Sequence, residues 1–496
     1  MNTKRALAVL AWTAWTAGCA LHPLTVRQAA APDLPVPQVI DKELGGATWW
    51  AVLPDEALEQ MVADTLTNSP DLRAFEAVLR QAEAMAKVSG AARFPSLSFA
   101  TSYAGQPYTP FVLPVAGVDQ DPDTEVQATI QTQLNLAYEA DLFGRVRAGA
   151  GAAQRDARAA ALDLQAMRLM STGQVLEMVL TVLEGREQLA LLAKNEALLR
   201  RQRAFVVERY QAGLSNVLEL RQQDELLATT VAQRPLLNEQ IAAAGRRLAY
   251  LTGGTARDVR LPRGEALPNL PAVWGGELSA AFVHRRPDVA SAFEKLHASD
   301  HRLAAALASR LPSLRFNGAA GFLFLGRSKA ETTVMGNTVA AETVSESLGN
   351  AFDTVAEDPA DNLAWQLSVQ LLQPIVQGGA VSGQIEAARA AREAALERYR
   401  KAVLTAFDEV VSSHSGERAQ RTYLKRLMDQ RKAVSASLEA ATDRYRAGLT
   451  EYRVLLQTQL ALLRVDQALI RARRQVWSQR IRLLRAAAGS LGENGS

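Results

Sequence analysis

The chain of 496 residues contains one cysteine, 6% aromatic residues and a formal charge of only +3. Past its N-terminal segment it has no run of 18 apolar residues. The single thiol excludes a disulfide scaffold and any multi-cysteine metal site. The balance of 55 basic against 52 acidic residues argues against a nucleic-acid partner, because phosphate-binding surfaces concentrate a basic excess. Without an apolar run near the 20 or so residues that span a bilayer, the chain is not a helical membrane protein, although a membrane β-barrel stays open. Few aromatics alongside abundant Ala and Leu point to extended helical packing rather than large mixed cores.

The N-terminus reads as an export signal over residues 1–18: Lys4 and Arg5, an apolar stretch from Ala6 to Trp15, then Thr16-Ala17-Gly18-Cys19. The small residues before Cys19 suit a lipoprotein cleavage site, with Thr16 where Leu is usual. This predicts a diacylglycerol and an N-linked acyl chain, such as palmitate, on Cys19. Ala20 follows rather than Asp, the pattern that goes with outer-membrane sorting. Residues 19–54 hold Pro23, Pro32, Pro35 and Pro37 and read as an extended tether.

An internal repeat organises the remainder. Pro70-Asp71-Leu72 recurs as Pro287-Asp288-Val289, an offset of 287 − 70 = 217. The segment Ala91 to Phe99 recurs as Ala308 to Phe316 at the same offset. Arg209-Tyr210-Gln211-Ala212-Gly213-Leu214-Ser215 recurs as Arg444-Tyr445-Arg446-Ala447-Gly448-Leu449-Thr450, 444 − 209 = 235 residues on. The chain thus reads as two copies of one unit, 55–253 and 276–489, with a linker over 254–275 and a tail over 490–496.

No proline occurs from Asp123 to Arg234 or from Ile375 to the end. Leu162, Leu169, Leu176 and Leu183 fall seven apart, as do Val175, Val182 and Leu189, which marks a coiled-coil seam. These patterns predict helices over 145–211 and 383–446, each roughly 100 Å long at about 1.5 Å per residue. Shorter helices are expected at 69–92, 215–251, 287–311 and 450–488, with Pro235 breaking the second of them.

Four segments alternate apolar and uncharged polar residues. Strands are expected at 96–103, 126–138, 313–325 and 363–372. In the second, Ile130, Leu134 and Leu136 alternate with Gln131, Gln133 and Asn135. This matches a membrane strand with its polar side toward water, although a half-exposed soluble sheet shares the period. Four strands cannot close a barrel, and an open edge is not tolerated in lipid, so spanning a membrane would require several copies to share one barrel. The loops at 104–124 and 326–361 would then lie outside the cell.

These features resemble the outer-membrane factors of tripartite efflux systems, the TolC-like channels, and their lipoprotein branch in particular. The resemblance rests on Trp49-Trp50, Asn68-Ser69-Pro70-Asp71-Leu72, Tyr138-Glu139-Ala140-Asp141-Leu142-Phe143-Gly144-Arg145, Arg285-Arg286-Pro287-Asp288-Val289 and Gln373-Pro374-Ile375 with Gly378-Gly379. It implies a mainly α fold with a membrane β-barrel. Three chains would form a 12-strand barrel, four strands from each, on a 12-helix α-barrel with an equatorial domain. It also implies a periplasmic adaptor and an inner-membrane pump as partners, passive export of small molecules, and no chemistry by the chain.

Two sites follow. Ala212-Gly213-Leu214 and Ala447-Gly448-Leu449 interrupt the helices where glycine allows a tight reversal; in the family such turns form the periplasmic tip that docks the adaptor. Arg209, Arg444 and Arg446 beside them would touch the adaptor or cap helix ends. The family's closing constriction lies just past the second turn, where Glu451 and Arg453 stand. Gln457 occupies the place of an Asp common in the family, so an acidic double ring is not carried over. No phosphate loop or nucleophile signature suggests an enzyme. A metal reading of His297 and His301 with Asp300 lacks a third anchor, and the alternative function is a lipid-anchored periplasmic coiled-coil adaptor or structural protein without a channel.

Overall fold

A computed structural model describes residues 49–53, 56–108, 125–255, 261–262, 264–272, 283, 285–329 and 363–487. The export signal, Cys19 and most of the tether lie outside these residues, as do much of the two loops and the C-terminal tail. The described elements are α1 (Glu56–Asn68), α2 (Pro70–Ala91), β1 (Ser96–Tyr108), β2 (Glu125–Ala140), α3 (Arg145–Gln211), α4 (Val217–Ala232), α5 (Arg234–Leu251), α6 (Pro287–Ala308), β3 (Ser313–Lys329), β4 (Leu363–Leu372), α7 (Ala380–Arg446) and α8 (Tyr452–Ala486).

The long helices α3 and α7 have 67 residues each. The expected break in the helix over 215–251 falls at Gln233, with Pro235 in the first turn of α5, where its missing N–H costs nothing. The strands run further than the alternation showed: β1 reaches Tyr108 and β3 reaches Lys329. Ladder hydrogen bonds hold residues beyond the apolar pattern. Helix α1 was not expected; Leu58, Met61 and Val62 give it a buried face too short to stand out by periodicity.

The chain divides into two compact units, neither of which is one repeat. The first takes residues 84–154 and 298–392 and contains a four-stranded antiparallel sheet in the order β1-β2-β3-β4. Its central pairing, β2 with β3, joins one repeat to the other, with Leu134 opposite Ala320 and Tyr138 opposite Phe316. Strand β2 passes into α3 through Gly144 at φ 77°. There Asp141 accepts the backbone N–H groups of Val146 and Arg147 at 3.1 and 2.8 Å, satisfying two of the orphan donors of the helix start. Gly378 and Gly379, at φ 56° and 88°, make the corresponding passage from β4 to α7.

The second unit takes 155–297 and 393–496, with 30–83. Its main core joins Leu58 and Val62 of α1, Val175 to Leu183 of α3, Leu248 of α5 and Trp477 and Ile481 of α8. The heptad leucines are buried only in this middle stretch: Leu176 and Leu183 are covered, while Leu162 and Leu169 are half-buried. The linker strand of chain around 262–272 is held by arginines through its carbonyls. Arg473 bonds Leu267, Arg421 bonds Pro271 and Arg480 bonds Ala272, at 2.6–2.7 Å. Buried Glu417 receives both Arg421 and Arg480. The Arg-Arg-Pro-Asp motif has a similar explanation: Arg286 is buried between Asp288 and Glu409, at 2.8 and 2.7 Å.

Candidate functional site

The two helix reversals share one backbone geometry. Gly213 and Gly448 lie at φ 72° and 71°, a region an L side chain enters at a cost of about 1–2 kcal/mol. The N–H of Leu214 bonds the Arg209 carbonyl at 2.8 Å and that of Gly213 bonds Tyr210 at 3.0 Å. In the second turn Leu449 bonds Arg444 and Gly448 bonds Tyr445 at the same distances. These are paired Schellman closures, begun by Ala212 on Glu208 and Ala447 on Asp443, both at 3.0 Å. Such a motif usually folds its next apolar residue back against the helix; here that helix position is Arg209 or Arg444. Leu214 and Leu449 therefore stay 67% exposed, and Val217 and Leu218 beside the first turn are also exposed.

Beyond the turns the repeats differ. Asn216 caps α4 by accepting the Glu219 N–H at 3.0 Å, whereas Glu451 at the start of α8 makes no side-chain cap. Glu451 instead lies 3.7 Å from Arg453, with both side chains largely exposed. Arg209 donates to the Leu214 carbonyl at 3.1 Å and lies over the Tyr445 ring at 5.4 Å, which closes the turn. Arg446 sits 3.9 Å from Asp443 in solvent.

A polar link between the two helical hairpins was not legible in the sequence. Tyr445 donates to Glu219 at 3.0 Å, and Tyr452 donates to the Gln223 side-chain oxygen. Gln223, fully buried, in turn donates to the Leu199 carbonyl at 2.7 Å, and Ser215 holds Glu219 at 2.6 Å. Burial foremost, with Glu219 second, pushes the Tyr445 hydroxyl up to about 12; burial raises Tyr452 further. The motif repeats suggest that Tyr210 and Tyr445 are equivalent, yet Tyr210 is 44% exposed and Tyr445 is buried.

The sheet forms the other surface. One side carries Leu97, Phe99, Leu134, Trp365, Leu367 and Leu371 in register, all strongly exposed, Trp365 at 76%. The opposite side carries Ser98, Gln131, Gln133, Asn135, Gln366 and Gln370. In the metal reading set aside above, His297 packs edge-on against Phe293 at 4.4 Å and Asp300 pairs with Arg392 at 2.6 Å. Among the described residues no group of three or more His, Cys, Asp or Glu gathers around one point.

The sequence matches the family described as outer membrane efflux protein over residues 61–254 and 279–489. The pyoverdine export outer membrane protein OpmQ of Pseudomonas aeruginosa is 28% identical over 451 residues, 89% of this chain and 87% of its own length. The toluene efflux pump outer membrane protein TtgF of Pseudomonas putida is 25% identical over 455 residues, 91% of this chain and 86% of its own. Among solved structures, the outer-membrane channel OprN superposes with a TM-score of 0.75 at 23% identity, covering 93% of this chain and 98% of that one.

Proposed function

The chain belongs to the outer membrane efflux protein family and is an outer-membrane channel of an efflux system, and from that premise we propose how it is assembled and engaged. Three copies share one barrel, the β4 edge of each pairing with the β1 edge of the next. The observation that carries this is the sheet: among the described residues both outer edges lack partners, one face is apolar and exposed, and the other is polar, with Glu139 and Arg315 as its described charges. In lipid such edges must be closed. The reading of the chain as an adaptor or a structural coiled coil gives way here.

The partners are a periplasmic adaptor and an inner-membrane pump. Leu214 and Leu449, exposed at the reversals, are the docking points for the adaptor, with Ala212, Gly213, Ala447 and Gly448 setting their shape. Glu451 and Arg453 contribute to the periplasmic constriction, and Tyr445–Glu219 with Tyr452–Gln223 tie the second hairpin to the first, so that opening must break these bonds. Cys19 carries the lipid anchor. Solutes move through the conduit by diffusion while the pump supplies the drive.

Native mass spectrometry of the detergent-extracted protein tests the assembly: three chains are expected, and a single chain would refute the shared barrel. Cys19→Ser protein should stay in the outer membrane through its barrel while losing its acyl chains; full release without detergent would overturn the spanning sheet. Glu451→Ala with Arg453→Ala should raise single-channel conductance, and an unchanged value would place the constriction elsewhere.

A further inference from the structure

We propose that Arg315 forms, with its copies, a positively charged collar at the inner base of the barrel that binds polyvalent anions and biases passage toward anionic solutes; this rests on the channel reading above. Among the described side chains of the four strands only Glu139 and Arg315 are charged. They are register partners across β2 and β3, on the same face as Asn135, Asn317 and Gln370. That is the polar face, opposite the one bearing Leu134 and Trp365, so in a closed barrel both charges face water in the lumen.

The charges do not balance. Arg145, at the start of α3, gives Nε and Nη2 to one oxygen of Glu139, at 3.1 and 2.6 Å. Arg315 reaches the other oxygen only through Nε, at 3.5 Å, which is outside good hydrogen-bond distance. One carboxylate, 19% exposed, thus answers two guanidinium groups, and Arg315 stays 48% exposed. The nearby Arg147–Asp141 pair at 3.2 Å cancels itself. Counting Arg145, Arg315 and Glu139 as 2 − 1 leaves one positive charge per chain. A device serving only to join β2 to β3 would need one arginine; the second makes the site net cationic.

Repeated around a barrel, this gives a ring of arginines of the kind that selects anions in pores. The low-dielectric wall focuses its field, and the guanidinium fork suits carboxylate, sulfate and phosphate groups. The field reaches about 8 Å at 0.15 M salt and less at higher salt.

The test uses the full-length channel in planar bilayers, with hexacyanoferrate(II), a tetravalent anion, added on the barrel side at low salt. The wild type should be blocked and should show an anion-preferring reversal potential in a KCl gradient. Arg315→Gln should raise the blocking concentration about tenfold or more and move the reversal potential toward cations. Glu139→Gln, which leaves both arginines unanswered, should move both readouts the opposite way. Equal block in wild type and Arg315→Gln, or a reversal potential that neither substitution moves, would overturn the collar. A wild type that forms no conducting channel would instead refute the channel reading itself.

Discussion

Tyr445 and Glu184 show what a single buried group contributes, with opposite consequences. The Tyr445 hydroxyl, lifted to about 12 by burial and by Glu219, favours its neutral form in the folded protein. Its folded value lies above the unfolded one near 10, so its contribution is complete below about pH 10 and is lost as pH rises through about 12. The link at the hairpins should therefore be insensitive to pH across the physiological range. Tyr445→Phe should loosen it at every such pH, raising resting conductance and costing about 1 kcal/mol of stability; unchanged conductance would show that the link does not restrain the tip. Glu184 is also raised, chiefly by burial against the pull of Arg474, and here too the protonated form is the stabilised one, but a carboxyl ordinarily loses its proton far below neutral pH. Its contribution is present below the ordinary carboxylate value and is lost as pH rises through the folded one. The ionised form of Glu184 is the one that burial disfavours, so Glu184→Gln, which can keep the Gln188 contact, should leave Tm unchanged or raise it. A marked fall in Tm would mean that its ion pair with Arg474, at 3.4 Å, outweighs the desolvation.

At the scale of elements, the signals that reached into structure were those repeated many times along one segment. Heptad leucines and the absence of proline placed α3 within a residue at each end, and α7 within three at its start. Period-2 alternation located all four strands, but stopped short where β1 and β3 continue on backbone pairing with little side-chain pattern. What a one-dimensional pattern could not carry was which residue faces which across elements. Gly321 is an instance: a Cβ there would meet the Thr132 carbonyl at 2.1 Å and the Gln133 Cα at 2.5 Å, whereas one at Gly318 would meet only Leu136 and Leu367 at ordinary distances. Gly318→Ala should thus be tolerated, while Gly321→Val should separate β2 from β3, the pairing that joins the two repeats. Loss of outer-membrane insertion for the second and normal insertion for the first is the expected pair of results, read by fractionation. The same limit hid the Tyr445 link, since the repeat makes Tyr210 its twin in sequence and only packing distinguishes them.

For the whole molecule, the decisive features are surfaces left without partners in one chain. The need for several chains was legible in the count of strands, because four cannot close. Where the chains touch along the helices was not, because an exposed apolar residue on a long helix is indistinguishable in sequence from a core one. Helix α7 carries Leu404, Phe407 and Val411, exposed at 62%, 57% and 41%, and their i, i+3, i+7 spacing puts them on one stripe. A soluble single chain rarely leaves such a stripe in water. If a second copy covers it, burying the leucine and phenylalanine contributes about 2–4 kcal/mol at each interface, repeated around the ring. Leu404→Glu with Phe407→Glu should then reduce the assembly to single chains by native mass, with the helical circular dichroism largely kept because both side chains are mostly exposed in the single chain. An assembly that survives both charges would mean that this stripe faces the lumen and that the copies are held by their strand edges and other helix faces alone.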